Sequence, residues 1–238
     1  MVPGQKLVLD GERREVVIAV EGVTLEGSLV VPNDAKGVVL FAHGSGSSRH
    51  SPRNRYVAQI LQSQHIATLL FDLLTRQEES LDQYTGKLRF DIPFLANRLV
   101  AATRWIANDA VTRDLKVGYF GASTGAGAAL VAAAELPKVI SVIVSRGGRP
   151  DLAGNALGLV RAPTLLIVGG EDGPVITMNR EALARLRCPD KKLVIIPGAT
   201  HLFEEPGTLE EAARVAAEWF SRHFMPAEKA QGASARIS

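Results

Sequence analysis

The chain has a single cysteine, Cys188, among its 238 residues. No internal disulfide can form, and nothing asks for an oxidising compartment. Cys188 ends the helix-like run 183–188 and reads as an apolar filler rather than a nucleophile. An excess of one charge is also missing. Lys and Arg total 27 against 25 Asp and Glu, a net charge of +2. That balance gives no case for nucleic acid or an anionic membrane as a partner. No apolar run approaches the ~20 residues that span a bilayer. The first stretch, MVPGQKLVLDGERREVV, lacks the apolar core of a signal peptide. The default expectation is a cytoplasmic location with no membrane contact. The histidines lack H-E-x-x-H spacing and there is no cysteine cluster, so neither a metal nor a cofactor is expected. There is no internal repeat and no linker-like composition.

What the sequence does contain is an alternation of strands and helices. Residues 14–31 hold two β-rich runs that join around Glu21 and Gly22 and predict an antiparallel hairpin. The run 37–42 is continuously apolar, as a strand buried on both faces must be. Strands are then expected at 66–71, 115–120, 139–144, 164–168 and 193–196. Helices are expected near 54–64, 89–108, 123–136, 177–187 and 209–224. Strands alternating with helices imply right-handed βαβ units and a parallel sheet with helices on both faces. Residues 1–225 are expected to form one domain, and the small polar residues 226–238 a flexible tail. The connection 72–89 has no evident element and could lie over a functional face.

Gly121-Ala122-Ser123-Thr124-Gly125 carries the chemistry. It leaves a strand and opens a helix. A sharp turn there holds the serine hydroxyl out into a cleft, and the crowding demands glycine on either side. The plainer alternative is that Ser123 only caps the helix. A serine needs a base to act as a nucleophile. His201 follows the last strand, and the C-terminal ends of parallel strands share one edge. His43 and His50 sit on an early loop, where His43 reads as a local loop former. His65 and His223 read as surface or core residues. The acid that orients the base is Asp172, just past the strand 164–168. Glu171 is the second choice, and Asp72 reads as a loop anchor. The oxyanion needs two N–H donors: the Thr124 amide, and one from the glycine-flanked loop His43-Gly44-Ser45-Gly46, with Ser45 favoured. Gly46 is a further substrate-contact candidate.

Together these residues resemble the α/β-hydrolase superfamily over roughly residues 15–225. The small size, the N-terminal hairpin and the lack of a large insertion resemble its dienelactone-hydrolase-like branch. The resemblance implies an α/β-hydrolase fold: an eight-stranded, mostly parallel sheet with helices on both faces and no large cap domain. It also implies hydrolysis of a small-molecule, ester-like substrate. One departure is plain. Dienelactone hydrolases proper carry cysteine where this chain has Ser123, which shifts the expectation from lactones toward carboxylic esters. Acyl transfer or peptide cleavage on the same three residues, and a non-catalytic binding module, are the rival readings. Arg146 and Arg149 follow a strand and could clamp a substrate carboxylate or phosphate, unless each is simply paired with Asp or Glu. An exposed edge strand or the last helix could build a homodimer.

Overall fold

The computed structural model describes residues 10–225. The expected tail, 226–238, lies outside the described residues. Eight strands form one sheet: β1 (Gly11–Val20), β2 (Val23–Pro32), β3 (Gly37–Ala42), β4 (Ala67–Phe71), β5 (Lys116–Ala122), β6 (Ile140–Arg146), β7 (Thr164–Gly169) and β8 (Lys191–Ile196). Their order across the sheet is β1-β2-β4-β3-β5-β6-β7-β8. The β1–β2 and β2–β4 pairs are antiparallel and every other pair is parallel.

The burial pattern explains the architecture. In β1, Val16, Ile18 and Val20 are buried while Val17 is exposed, the period of a strand covered on one face. Glu21 and Gly22, both at positive φ, close the hairpin to β2 with Val20 paired to Val23. In β3 and β7 every residue is buried, because helices cover both faces of a parallel sheet. One face carries α3 (Ile92–Asn108), α4 (Thr124–Glu135) and α5 (Gly173–Arg185). The other carries α1 (Pro52–Ser63) and α6 (Thr208–Phe224). Between β6 and β7 stand only short 3₁₀ turns over Pro150–Leu159, kinked at Gly154, so no large cap is built there. Among the described residues no helix is long and apolar enough to cross a membrane.

Two elements differ from the sequence reading. The connection 72–89 contains a helix, α2 (Arg76–Thr85), followed by a 3₁₀ turn at Leu88–Phe90. A full capping box starts α2: Glu78 N–H donates to Thr75 Oγ1 at 3.1 Å, and Thr75 N–H donates to Glu78 Oε2 at 2.7 Å. Its only buried residue is Asp82, so there was no apolar stripe to reveal it. The helix expected at 177–187 starts earlier, at Gly173, with Pro174 in its first turn, a position where proline loses no hydrogen bond.

Candidate active site

The C-terminal ends of β3, β5, β6, β7 and β8 meet along one edge of the sheet. Ser123 leaves β5 and immediately precedes α4. Its φ of 51° and ψ of −123° are sterically unfavourable for a residue with a side chain, a strain of about 1–3 kcal/mol. Two glycines let the turn close. A Cβ on Gly121 would stand 2.4 Å from Ala126 Cα, and one on Gly125 would stand 2.1 Å from the Ala42 carbonyl oxygen.

Ser123 and Asp172 both occupy helix N-cap positions, and neither side chain caps its helix. Ser51, Thr75 and Asp91 hold the same position on α1, α2 and α3, and each accepts a first-turn amide. The plain-cap reading of Ser123 therefore fails. The Asp172 carboxylate turns instead to His201, whose Nδ1 donates to Asp172 Oδ2 at 2.6 Å. That bond leaves Nε2 free for the cleft. Ser123, His201 and Gly147 line one cavity of about 250 Å³. No hydrogen bond joins the Ser123 hydroxyl to the ring, although both line this cavity. The loop that carries His201 is braced from both sides. Phe203 is buried at a positive φ of 57°, and Glu205 accepts from the Thr200 amide at 3.0 Å and the Thr200 hydroxyl at 2.6 Å. Neither brace carried a sequence signal, since a lone Phe or Glu after a strand is commonplace.

A model of the dienelactone hydrolase family matches residues 25–225. The chain belongs to that family. Its likeness to a dienelactone hydrolase from Anabaena variabilis is high: 60% identity and a TM-score of 0.87, covering 90% of this chain and 98% of that one. An esterase from Pyrococcus furiosus shares the fold, with 19% identity and a TM-score of 0.75 over 94% of this chain and 96% of that one. A protein from Mycobacterium tuberculosis H37Rv, provisionally named a phosphoribosyl transferase, is 56% identical over 211 residues. Those residues make up 88% of this chain and 46% of that protein, so the chain spans about half the length of that curated relative.

Within this family member the other sequence candidates divide. Thr124 opens α4, and its amide points out of the first turn, where helix N–H groups have no partner in the helix. The Ser45 amide is not free: it donates to Thr124 Oγ1 at 2.9 Å, so the expectation of a preformed donor is corrected to one that must give up this bond to meet an oxyanion. Gly46, at φ +68°, lines a larger adjoining cavity of about 870 Å³ between the His43–Arg53 loop and α2, rather than the cleft of Ser123. Arg149 is also corrected. Its guanidinium grips Asp151 with both Nε and Nη2, at 2.9 and 2.8 Å, and it does not line the cleft. Arg146 does line it.

The rivals settle into structural work. His43 is buried; Leu73 N–H donates to its Nε2 at 3.0 Å, which fixes the proton on Nδ1, and Nδ1 donates to the Gly44 carbonyl at 3.0 Å. Asp72 accepts from the Arg49 amide at 2.7 Å and pairs with the Arg49 guanidinium. The Glu171 amide donates to the Ala199 carbonyl at 2.9 Å, which ties the acid loop to the base loop. His50 lines the larger cavity. His65 bonds the Asn33 carbonyl at 2.9 Å, and His223 packs edge-on against Trp219.

Proposed function

We propose that this chain is a serine hydrolase that cleaves small carboxylic esters through an acyl-enzyme on Ser123. The observation that carries the reading is the 2.6 Å bond between His201 Nδ1 and Asp172 Oδ2, beside a strained serine whose hydroxyl caps nothing. His201 Nε2 takes the Ser123 proton as Oγ attacks the acyl carbon. Asp172 holds the ring in the required tautomer and stabilises the imidazolium. The oxyanion settles on the Thr124 amide and on the Ser45 amide, which gives up the Thr124 hydroxyl for the substrate oxygen. His201 then protonates the leaving alcohol, and water activated by the same ring releases the acid. No step calls for a metal or cofactor, and the partner is a small-molecule substrate.

The phosphoribosyl-transferase name belongs to a protein about twice as long as the matched stretch. Acyl transfer and peptide cleavage would use the same residues. The test is labelling with a fluorophosphonate probe, followed by turnover of a panel of p-nitrophenyl esters, thioesters, lactones and amides. A single adduct on Ser123 and fastest turnover of esters are expected. A folded protein that takes no adduct would be a binding module, and the assignment would fall.

A further inference from the structure

Arg146 ends β6 beneath the Ser123 cleft and is 7% exposed. Among the described residues its Nε and Nη1 have no hydrogen-bond partner. Its Nη2 donates only to Asn54 Oδ1, at a long 3.3 Å. Among the described residues no carboxylate pairs with it. The rings of Phe120 and Phe203 flank the guanidinium at 5.9 and 5.8 Å, which offsets part of the desolvation cost. An unpaired buried cation is otherwise unfavourable, and buried charges in folded proteins are normally matched.

The wall above it is positive as well. Ser51 caps α1, and Arg53 and Asn54 stand in the first turn of that helix, so the positive end of the helix dipole is presented there. Arg53 and Asn54 line the same cleft as Arg146, together with Ser45, Ser47 and Ser51. Among the described residues Arg53 pairs only with Glu204, at 3.0 Å on the exposed rim. Burial, reinforced by the charge of Arg53, brings Arg146 down to about 10.

We propose that the cleft beside Ser123 contains an anion subsite for a phosphate group carried by the substrate, with Arg146 as its floor and Arg53 and the start of α1 as its wall. The placement of the reacting carbon rests on the hydrolase reading above; the subsite itself does not. The donors that line the cleft come from three parts of the chain: the end of β6, the start of α1 and the serine-rich loop after β3. A tetrahedral group offers three terminal oxygens to these donors, one more than a planar carboxylate. Two guanidinium groups also match a dianion better than a monoanion. A short charge-assisted bond would replace the long one between Arg146 and Asn54. The phosphate serves as a handle, and no bond to phosphorus is made or broken.

The test begins with binding alone. Inorganic phosphate is titrated by calorimetry into the full chain and into its S123A, R146M, R53Q and R149A variants. Saturable binding is expected for the wild type, S123A and R149A alike. R146M should weaken it by about 10–100-fold, as loss of a charged hydrogen bond does, and R53Q by a smaller factor. Arg53 is partly exposed, so R53Q reads out the subsite even if R146M does not fold. In kinetics, an ester bearing a phosphate should have a kcat/KM at least tenfold above its neutral and carboxylate analogues, and R146M should erase the difference. The subsite is overturned by absent phosphate binding, by equal binding in folded R146M, or by preference for the carboxylate analogue. Phosphate binding to S123A without fluorophosphonate labelling of the wild type would sink the hydrolase reading and leave the subsite standing. Labelling without phosphate binding would do the reverse.

Discussion

The Ser45 amide donates to the Thr124 hydroxyl at 2.9 Å, a bond that ties the loop after β3 to the first residue of α4 directly beside Ser123. The loop is thereby held where its amide can later meet a substrate oxygen. Valine at 124 keeps the shape and removes the acceptor. Thr124→Val should cost about 1 kcal/mol of stability, read as a lower midpoint in urea, because a partly buried amide loses its partner. Thr124→Ser should restore it. Ester turnover should not fall in Thr124→Val, since substrate oxygen replaces the hydroxyl in the reaction. A hundredfold loss of kcat/KM would instead make that hydroxyl itself an oxyanion donor.

The backbone of Ser123 sets up a trade between stability and activity. Glycine accepts φ of 51° without penalty, whereas alanine does not. Ser123→Gly and Ser123→Ala should both be inactive toward esters. Ser123→Gly should nevertheless be the more stable of the two, by about 1 kcal/mol in chemical denaturation. Equal stabilities would mean that the elbow stores no strain.

Asp172 acts only through His201. Asp172→Asn preserves the size of the side chain but cannot stabilise the imidazolium and favours the wrong tautomer. A drop in kcat of roughly 10⁴ is expected, with little change in KM and fluorophosphonate labelling of Ser123 slowed in proportion. A drop below tenfold would assign the acid role elsewhere, and Glu171→Gln is then the variant to measure.

The fold was legible because its signals are local. Continuously apolar runs at 37–42 and 164–168 marked strands covered on both faces, and Gly121 and Gly125 marked the elbow. The start of α2 was also written in the chain, as Thr75 and Glu78, but the helix buries only Asp82. Periodicity cannot find a helix held by a polar contact: Asp82 accepts from the Leu88 amide at 2.7 Å and from the Arg89 amide at 3.0 Å. The contrast between Arg146 and Arg149 lay out of reach for another reason. Arg146 ends β6 and Arg149 stands three residues beyond it; Arg149 closes on Asp151 while Arg146 is buried at the cleft, a difference that two nearby arginines do not announce in sequence. The Ser45–Thr124 bond joins residues 79 apart, and no pattern along the chain encodes it.

Gly125 offers a sharper check on the elbow than Ser123 does. An added Cβ would lie 2.1 Å from the Ala42 carbonyl oxygen and 2.5 Å from that of His43. Both are backbone atoms, which cannot rotate aside. Gly125→Ala should therefore lose about 3 kcal/mol or more, since overpacking at a rigid contact is at the costly end of its range. Soluble yield and the thermal midpoint report it. Wild-type stability in this variant would show that β3 and α4 are free to separate.

Acid should weaken the fold in two separate windows, both on the side where the unfolded chain binds more protons. Burial lowers the His43 imidazole, by more than the Gly44 carbonyl and the charges of Asp72 and Glu79 raise it. Its neutral form is the one that accepts the Leu73 amide. With the folded value below the unfolded one, its contribution is complete above the ordinary histidine range near 6.5 and is lost as pH falls beneath it. The second window belongs to Asp82. Burial alone would raise its carboxyl, but the Arg89 guanidinium, the Leu88 and Arg89 amides and the Thr85 hydroxyl outweigh it and hold the group at about 2. Its contribution is present above the ordinary aspartate range and disappears as pH drops toward about 2. Urea midpoints measured from pH 8 to pH 2.5 should fall first below about 6.5, then again below about 4. Asp82→Asn should flatten the second fall and leave the first. A first fall that vanished in Asp82→Asn would remove His43 as its cause.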